Sequence, residues 1–310
     1  MGHHRLLRAG GDARGGGYRG RRVGRGAPQS VKEKGRCAMV RTATEQDLPA
    51  LSALWQQVFG DEPAYSARVM REFAGLDNVY LDDEDGVSAM LTAIPVQLSG
   101  RPGAYFYAAA TAPDKRGQGR MTALLSHARN AQMQKGRGFA VLVPASESLR
   151  GFYAARGFEP AFSLRTVRRT IRRNLWAVAD FDTITGVRFS QVRRRFAPDA
   201  VQLPDAAMTG QILQLYSKGA TTVETSRGYG IYFEEGDTLR FVELFADSDA
   251  DAQLLLEAAR DRTGCERATI TLAGTSELFL GEGQARPYGM ASFWAEKPEL
   301  YQSYMNLMLE

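Results

Sequence analysis

The chain has 310 residues, 44% of them hydrophobic, and a formal net charge of +4, which leaves room for two ordinary domains and enough apolar matter to fill both cores. No apolar run approaches the ~20 residues that a membrane span requires, and the opening MGHHRLLRAGG lacks the apolar centre of a secretory signal, so a cytoplasmic protein is expected. Cys37 and Cys265 lie far apart and form no spaced cluster, so neither a disulfide framework nor a metal site is expected.

Residues 1–37 carry 10 Lys/Arg against 2 Asp/Glu, which makes the remaining chain mildly acidic. This Arg/Gly-rich stretch has almost nothing to bury and is expected to be a disordered tail, with a true start at Met39 as one reading of it. Arginines on phosphates and stacking by Tyr18 would suit RNA, yet no downstream domain supplies an RNA partner, so no nucleic acid is expected.

A strand is predicted at 39–42, followed by a helix framed by Thr44 and Asp47 whose Leu48, Leu51, Leu54, Trp55 and Val58 share one face up to Gly60. A second helix is predicted at 64–73. Strands at 78–81, 87–98 and 104–111 then form an antiparallel meander. ATAPDKRGQGRMTALLSHA follows, and Met121, Leu124, Leu125, Ala128 and Ala131 mark the buried side of a helix closed by Gly136. The apolar run 139–143 is a short central strand, so 104–143 makes a right-handed parallel strand, helix, strand unit. Ser146 caps a short helix to 155, with a further strand at 158–167. Beyond VRRTIRRN the pattern weakens: a helix at 206–216, a hairpin of 229–233 and 239–245, a helix at 252–262 and a strand at 268–272 echo the first half without repeating its residues.

A strand that enters a helix through a glycine turn leaves the first helical N–H groups unpaired and convergent, which suits an anion. Gly117 and Gly119 permit φ > 0 and close backbone approach, while Lys115, Arg116 and Arg120 add positive charge. A diphosphate is the natural occupant. The nucleotide loop G-x-x-x-x-G-K-[ST] is absent, and Thr122 stands where a dinucleotide fingerprint needs its third glycine.

The segment Arg116-Gly117-Gln118-Gly119-Arg120, preceded by Ala110 to Pro113, resembles the acetyl-CoA-binding loop of the GNAT superfamily of N-acetyltransferases. Met121 occupies a position usually small, as in the subgroup related to enhanced intracellular survival acetyltransferases. VLVPASESLRGFYAARGF, 141–158, is similar to the family's strand, helix and F-Y-x-x-x-G-F signature. The likeness covers 38–166, and 167–310 resembles the degenerate second half of tandem bacterial members. It implies a mixed central sheet flanked by helices, an α/β (α+β) fold repeated in a second domain. ADSDADAQ, at the equivalent junction of that half, would repel phosphate, so one cofactor site is expected.

The resemblance further implies that Ala109, Ala110, Thr111, Arg116, Gly117, Gln118, Gly119, Arg120 and Met121 hold acetyl-CoA, and that Tyr153 protonates the departing thiolate. Glu147 near the strand end, or the carboxylate at Glu310 after the apolar YMNLML, is a candidate base. Asp61 and Glu62, between the first two helices, are placed at the acceptor and would suit a cationic amine. The expected activity is acetyl transfer to a primary amine, small molecule or peptide, in a ternary complex. A non-catalytic acyl-CoA-binding regulatory module is the alternative.

Overall fold

Thr44 and Asp47 form a reciprocal capping box, the Thr44 amide donating to Asp47 at 2.8 Å, and so start the first helix where the sequence places it. The computed structural model describes residues 39–84, 86–297 and 303–309; the Arg/Gly-rich segment and Glu310 lie outside the described residues. The first half runs β1 (Val40–Thr42), α1 (Leu48–Phe59), α2 (Pro63–Arg68), β2 (Val79–Asp82), β3 (Ala89–Leu98), β4 (Arg101–Thr111), α3 (Arg120–Gln134), β5 (Phe139–Leu142), α4 (Glu147–Ala154) and β6 (Glu159–Pro160). The helix predicted at 64–73 is α2 continued by a π-helical turn, Val69–Ala74.

β2, β3 and β4 form the expected antiparallel meander, and β4 pairs in parallel with β5 across the α3 crossover. One sheet face packs on α1 and α2 through Leu51, Trp55, Met70, Tyr105 and Tyr107. The other packs on α3 and α4 through Phe106, Leu124, Ala128, Leu149 and Tyr153. This alternation along β4 follows from the period of two of a strand.

The second half comprises β7 (Ser163–Thr170), α5 (Gly186–Phe196), α6 (Asp205–Ser217), β8 (Thr221–Thr225), β9 (Gly228–Glu235), β10 (Thr238–Ala246), α7 (Asp249–Thr263), β11 (Arg267–Ala273), β12 (Gln284–Pro287) and β13 (Met290–Phe293). It repeats the layout of the first: an antiparallel β9–β10 pair, a crossover helix, and a parallel β10–β11 pair. Both antiparallel pairs carry a register shift, at Met90/Thr92 and at Phe241/Glu243.

The two sheets exchange strands. The first has the order β1-β2-β3-β4-β5-β13-β6 and the second β12-β7-β11-β10-β9-β8. The strand predicted at 158–167 is therefore two strands, β6 in one sheet and β7 in the other, because Ala161 and Phe162 turn away to hydrogen-bond the Gly289 carbonyl. A boundary between 166 and 167 falls inside β7. Residues 303–309 are buried between the halves, where Met305 and Met308 join the core of α1, Phe189 and Ile212. Among the described residues no helix is long and apolar enough to cross a membrane.

Candidate active site

β4 continues to Thr111, but its ladder with β5 comprises only Ala104–Ala140 and Tyr105–Val141. Beyond Tyr105 the two strands diverge, and the β4 edge faces a gap. A bulge shapes this edge: Ala108 takes φ 51, opposite the register shift in β3. A left-handed alanine costs about 1 kcal/mol or more, and here it re-aims the peptide groups that precede Ala109, Ala110 and Thr111. Strained backbone at a strand end is where a binding role is looked for.

The loop after β4 delivers the start of α3 to the same end of the sheet. Arg116 folds it back by donating through Nε to the Thr111 carbonyl at 3.2 Å. Gly117 and Gly119 take φ 75 and 79, and a Cβ on either would meet nothing within 4 Å. The two glycines therefore serve conformation and leave open space in front of the helix. Gly119 is the N-cap, with no side-chain cap bond, and the amides of Gly117, Gln118, Gly119 and Met121 meet no acceptor among the described residues. An exposed, uncapped start on a 15-residue helix retains its positive end for a ligand.

Arg120 differs from expectation in one respect. Its guanidinium does not face the loop: it is buried, donating to Asp82 at 3.1 Å, to Ser88 at 2.8 Å and to Gln118 at 3.2 Å, with Glu84 at 3.3 Å. The side chain bolts the first turn of α3 to the ends of β2 and β3, and only its main chain remains for a phosphate. Met121 is half-buried and packs on the α3-side core.

Tyr153 projects from α4 into that same core, with Ala109 and Leu124 in its cluster and its ring edge-on to Phe158 at 5.8 Å. Ser146 caps α4 by accepting the Leu149 amide, which fixes the helix that carries it. Burial pushes the phenol up to about 12, so at neutral pH it holds its proton. Glu147, on the same first turn, is 91% exposed and 3.4 Å from Arg150.

On the other face of β4, Tyr105 and Tyr107 stack at 5.5 Å. The Tyr65 hydroxyl lies 3.4 Å from that of Tyr107, and the Tyr105 hydroxyl donates to the Leu309 carbonyl at 3.3 Å. Asp61 accepts the Trp55 Nε1–H at 2.9 Å, while Glu62 is exposed ahead of α2. The structure thus brings β4, the loop and Tyr153 to one end of the sheet and the residue 309 segment to the same strand from the opposite face. Glu147 is set apart at the surface.

Residues 39–161 match the family model described as acetyltransferase (GNAT) domain. Residues 39–161 thus form an acetyltransferase (GNAT) domain. No curated protein matches the chain. Among solved structures, a GCN5-related N-acetyltransferase from Anabaena variabilis is similar at 19% identity and TM-score 0.66, covering 83% of this chain and 72% of that one. A probable N-acyltransferase from Enterococcus faecalis aligns at 17% identity and TM-score 0.64, over 82% and 72%, and Eis1 from Mycobacterium abscessus at 15% and 0.64, over 82% and 73%. At these identities the likeness shows the fold, and it extends over both halves in the manner of a tandem arrangement.

The second half lacks the GNAT domain's open helix start. Ser248 caps α7 by accepting the Asp251 amide at 3.2 Å. Arg227 lies 3.5 Å from Asp247 and 3.4 Å from Asp251, and Asp249 accepts the Phe279 amide at 2.7 Å. The start of α7 is thus capped by Ser248 and carries the carboxylates of Asp249 and Asp251 in its first turn.

Two site residues escape the sequence reading. Arg156, at the end of the α4 motif, stacks on Phe152 with its guanidinium 3.5 Å from the ring centroid and reaches the first turn of α3, where Nη2 donates to the Thr122 hydroxyl at 2.7 Å. The arginine before Gly157 is the only signal the sequence offers. Asp82, the buried partner of Arg120, offers none, since it sits among four acidic residues of LDDED.

Proposed function

We propose that the chain transfers the acetyl group of acetyl-CoA to a primary amine by direct attack in a ternary complex. The observation that carries this reading is the uncapped start of α3 beside the unladdered end of β4, with protonated Tyr153 in the same core. Acetyl-CoA fits the two features: the amides of 117–121 offer donors to a diphosphate where Gly117 and Gly119 leave open space, and the β4 edge offers main-chain groups to an amide-bearing arm. Bound there, it supplies a thioester ready for acyl transfer.

The chain's own residues have four tasks. Arg116, Gly117, Gln118, Gly119, Met121 and the Arg120 amide hold the diphosphate, and the Ala109, Ala110 and Thr111 main chain orients the arm. Arg156 adds a cation to the α3 side. Tyr153 gives its proton to sulfur as the C–S bond breaks and the N–C bond forms; with its phenol raised to about 12 by burial it is protonated at neutral pH, and so is present as a donor and not as a base. The proton lost by the amine goes to a carboxylate. Of the two candidates, Glu310 is favoured over Glu147, because Leu309 already contacts Tyr105 on β4 whereas Glu147 faces solvent. The unit 38–166 is the catalytic one and 167–310 a GNAT-like partner that shares its core.

The test is amine-dependent thiol release from acetyl-CoA by the full chain. The reading predicts release that requires an amine, is abolished by Arg116→Glu with Gly119→Pro, and is slowed by Tyr153→Phe. Binding of CoA without release for any amine would favour an acyl-CoA-binding regulatory module.

A further inference from the structure

The acetyl-transfer reading leaves the acceptor unassigned, and the seam between the halves narrows it. A cavity of about 300 Å3 opens between α2, the turn that follows it and α6. Its apolar walls are Tyr65, Phe73, Leu213 and Leu309, with Gln214 and Ser217 adding polar groups. Gly210 sets its width: a Cβ there would come within 2.7 Å of the Phe73 ring, so the halves touch at this point and part beside it. Leu213 is 54% exposed, an apolar side chain on α6 left with one face to the opening.

The inner wall leads to β4. Tyr65 approaches Tyr107 and Leu309 approaches Tyr105, by the hydroxyl contacts at 3.4 and 3.3 Å. Tyr105 and Tyr107 are on the strand proposed to hold the acetyl donor and face away from α3. Neither lines the cavity itself, so a molecule in it reaches this face of β4, opposite the diphosphate loop, only past Tyr65 and Leu309.

The lining selects the molecule. Among the described residues that line it there is no carboxylate, and Arg68 is the one charged side chain. Asp61 and Glu62 are not on its walls: Asp61 is turned to the Trp55 indole. Arg68 is paired with Glu72 at 3.0 Å, so the described lining holds no free carboxylate for the several charges of a polycation. An aromatic or branched aliphatic body would instead cover Tyr65, Phe73 and Leu213.

We propose that the acceptor is a monoamine carried on an apolar body, an arylalkylamine or a branched alkylamine, and that it binds at this seam with Leu213 as a specificity-determining contact. This differs from an acceptor held by Asp61 and Glu62, neither of which lines the cavity.

The experiment compares kcat/KM of the full chain for 2-phenylethylamine, spermidine and kanamycin, and repeats it for Leu213→Asp and Leu213→Met. Leu213 is exposed enough that both variants are expected to fold, which circular dichroism checks. The proposal predicts at least roughly tenfold preference for 2-phenylethylamine, a KM for it raised roughly tenfold by Leu213→Asp and restored by Leu213→Met, and an unchanged KM for acetyl-CoA. Preference for spermidine or kanamycin, or a 2-phenylethylamine KM indifferent to Leu213→Asp, would overturn the acceptor class and leave acetyl transfer standing. No turnover with any amine, while CoA still binds, would overturn the transfer reading and this proposal with it.

Discussion

Arg193 of α5 and Glu243 of β10 are both fully buried and are joined by two bonds of 3.0 and 3.2 Å. Glu243 also accepts the Tyr229 hydroxyl. Arg193 donates to the Asn306 carbonyl at 2.9 Å, and its Nη1 has no hydrogen-bond partner among the described residues. Burial opposes the guanidinium's charge, but Glu243 outweighs it and keeps Arg193 protonated. Replacing Glu243 by Leu strands that charge in the core, which costs about 3–5 kcal/mol, and Arg193→Met strands the carboxylate at similar cost. Removing both leaves mainly the Tyr229 hydroxyl without an acceptor, a cost of about 1–3 kcal/mol.

The single costs should therefore sum to more than the double by at least about 2 kcal/mol. Thermal melting reads this directly: at about 2–4 °C per kcal/mol for a chain of this size, either single variant should melt roughly 6–20 °C below the parent and the double variant above both. Because Arg193 holds Asn306, and Asn306 precedes the Leu309 contact with Tyr105, the single variants should also lose turnover at temperatures where they remain folded. A single variant that melts within about 2 °C of the parent, or a double variant no more stable than the singles, would refute this reasoning.

Tyr153→Phe should lower kcat about a hundredfold or more while leaving CoA affinity close to that of the parent, and the parent's kcat should show no alkaline loss from this phenol until pH nears 12; steady-state rates across pH check both. Arg156→Glu should weaken CoA binding several-fold by placing a negative charge at the first turn of α3, measurable by calorimetry. Hydrogen bonds from Arg41 hold Asp47 below the usual carboxylate range, so this pair's contribution to stability is present above about pH 4 and is lost as pH falls further. Asp47→Asn should flatten that acid limb in urea titrations between pH 2 and 5.

Much of the first half is legible in sequence because its signals are local. Leu51 and Trp55 share a helical face, Thr44 and Asp47 cap it, and the glycine loop announces a helix start. What the sequence hides is non-local. Nothing in MASF says that Met290–Phe293 leaves its neighbours to pair with β5, since strand choice is made by a partner 148 residues away at Leu142. α5, with GVRFSQVRRRF, is too rich in arginine to look buried, yet Arg193 is neutralised by a glutamate on β10. Arg120 is misjudged for the same reason: Asp82 turns a charge expected at the ligand into a structural tie. The cavity proposed for the acceptor depends on the meeting of Tyr65, Leu213 and Leu309, which only the closed fold brings together.

The central claim is that the start of α3 holds the diphosphate of acetyl-CoA. Titration calorimetry of CoA into the full chain and into Arg116→Glu tests it most directly. The account predicts saturable one-site binding by the parent, weakened roughly tenfold or more by the charge reversal. No heat of binding from the folded parent, or equal affinity in the two proteins, would contradict it.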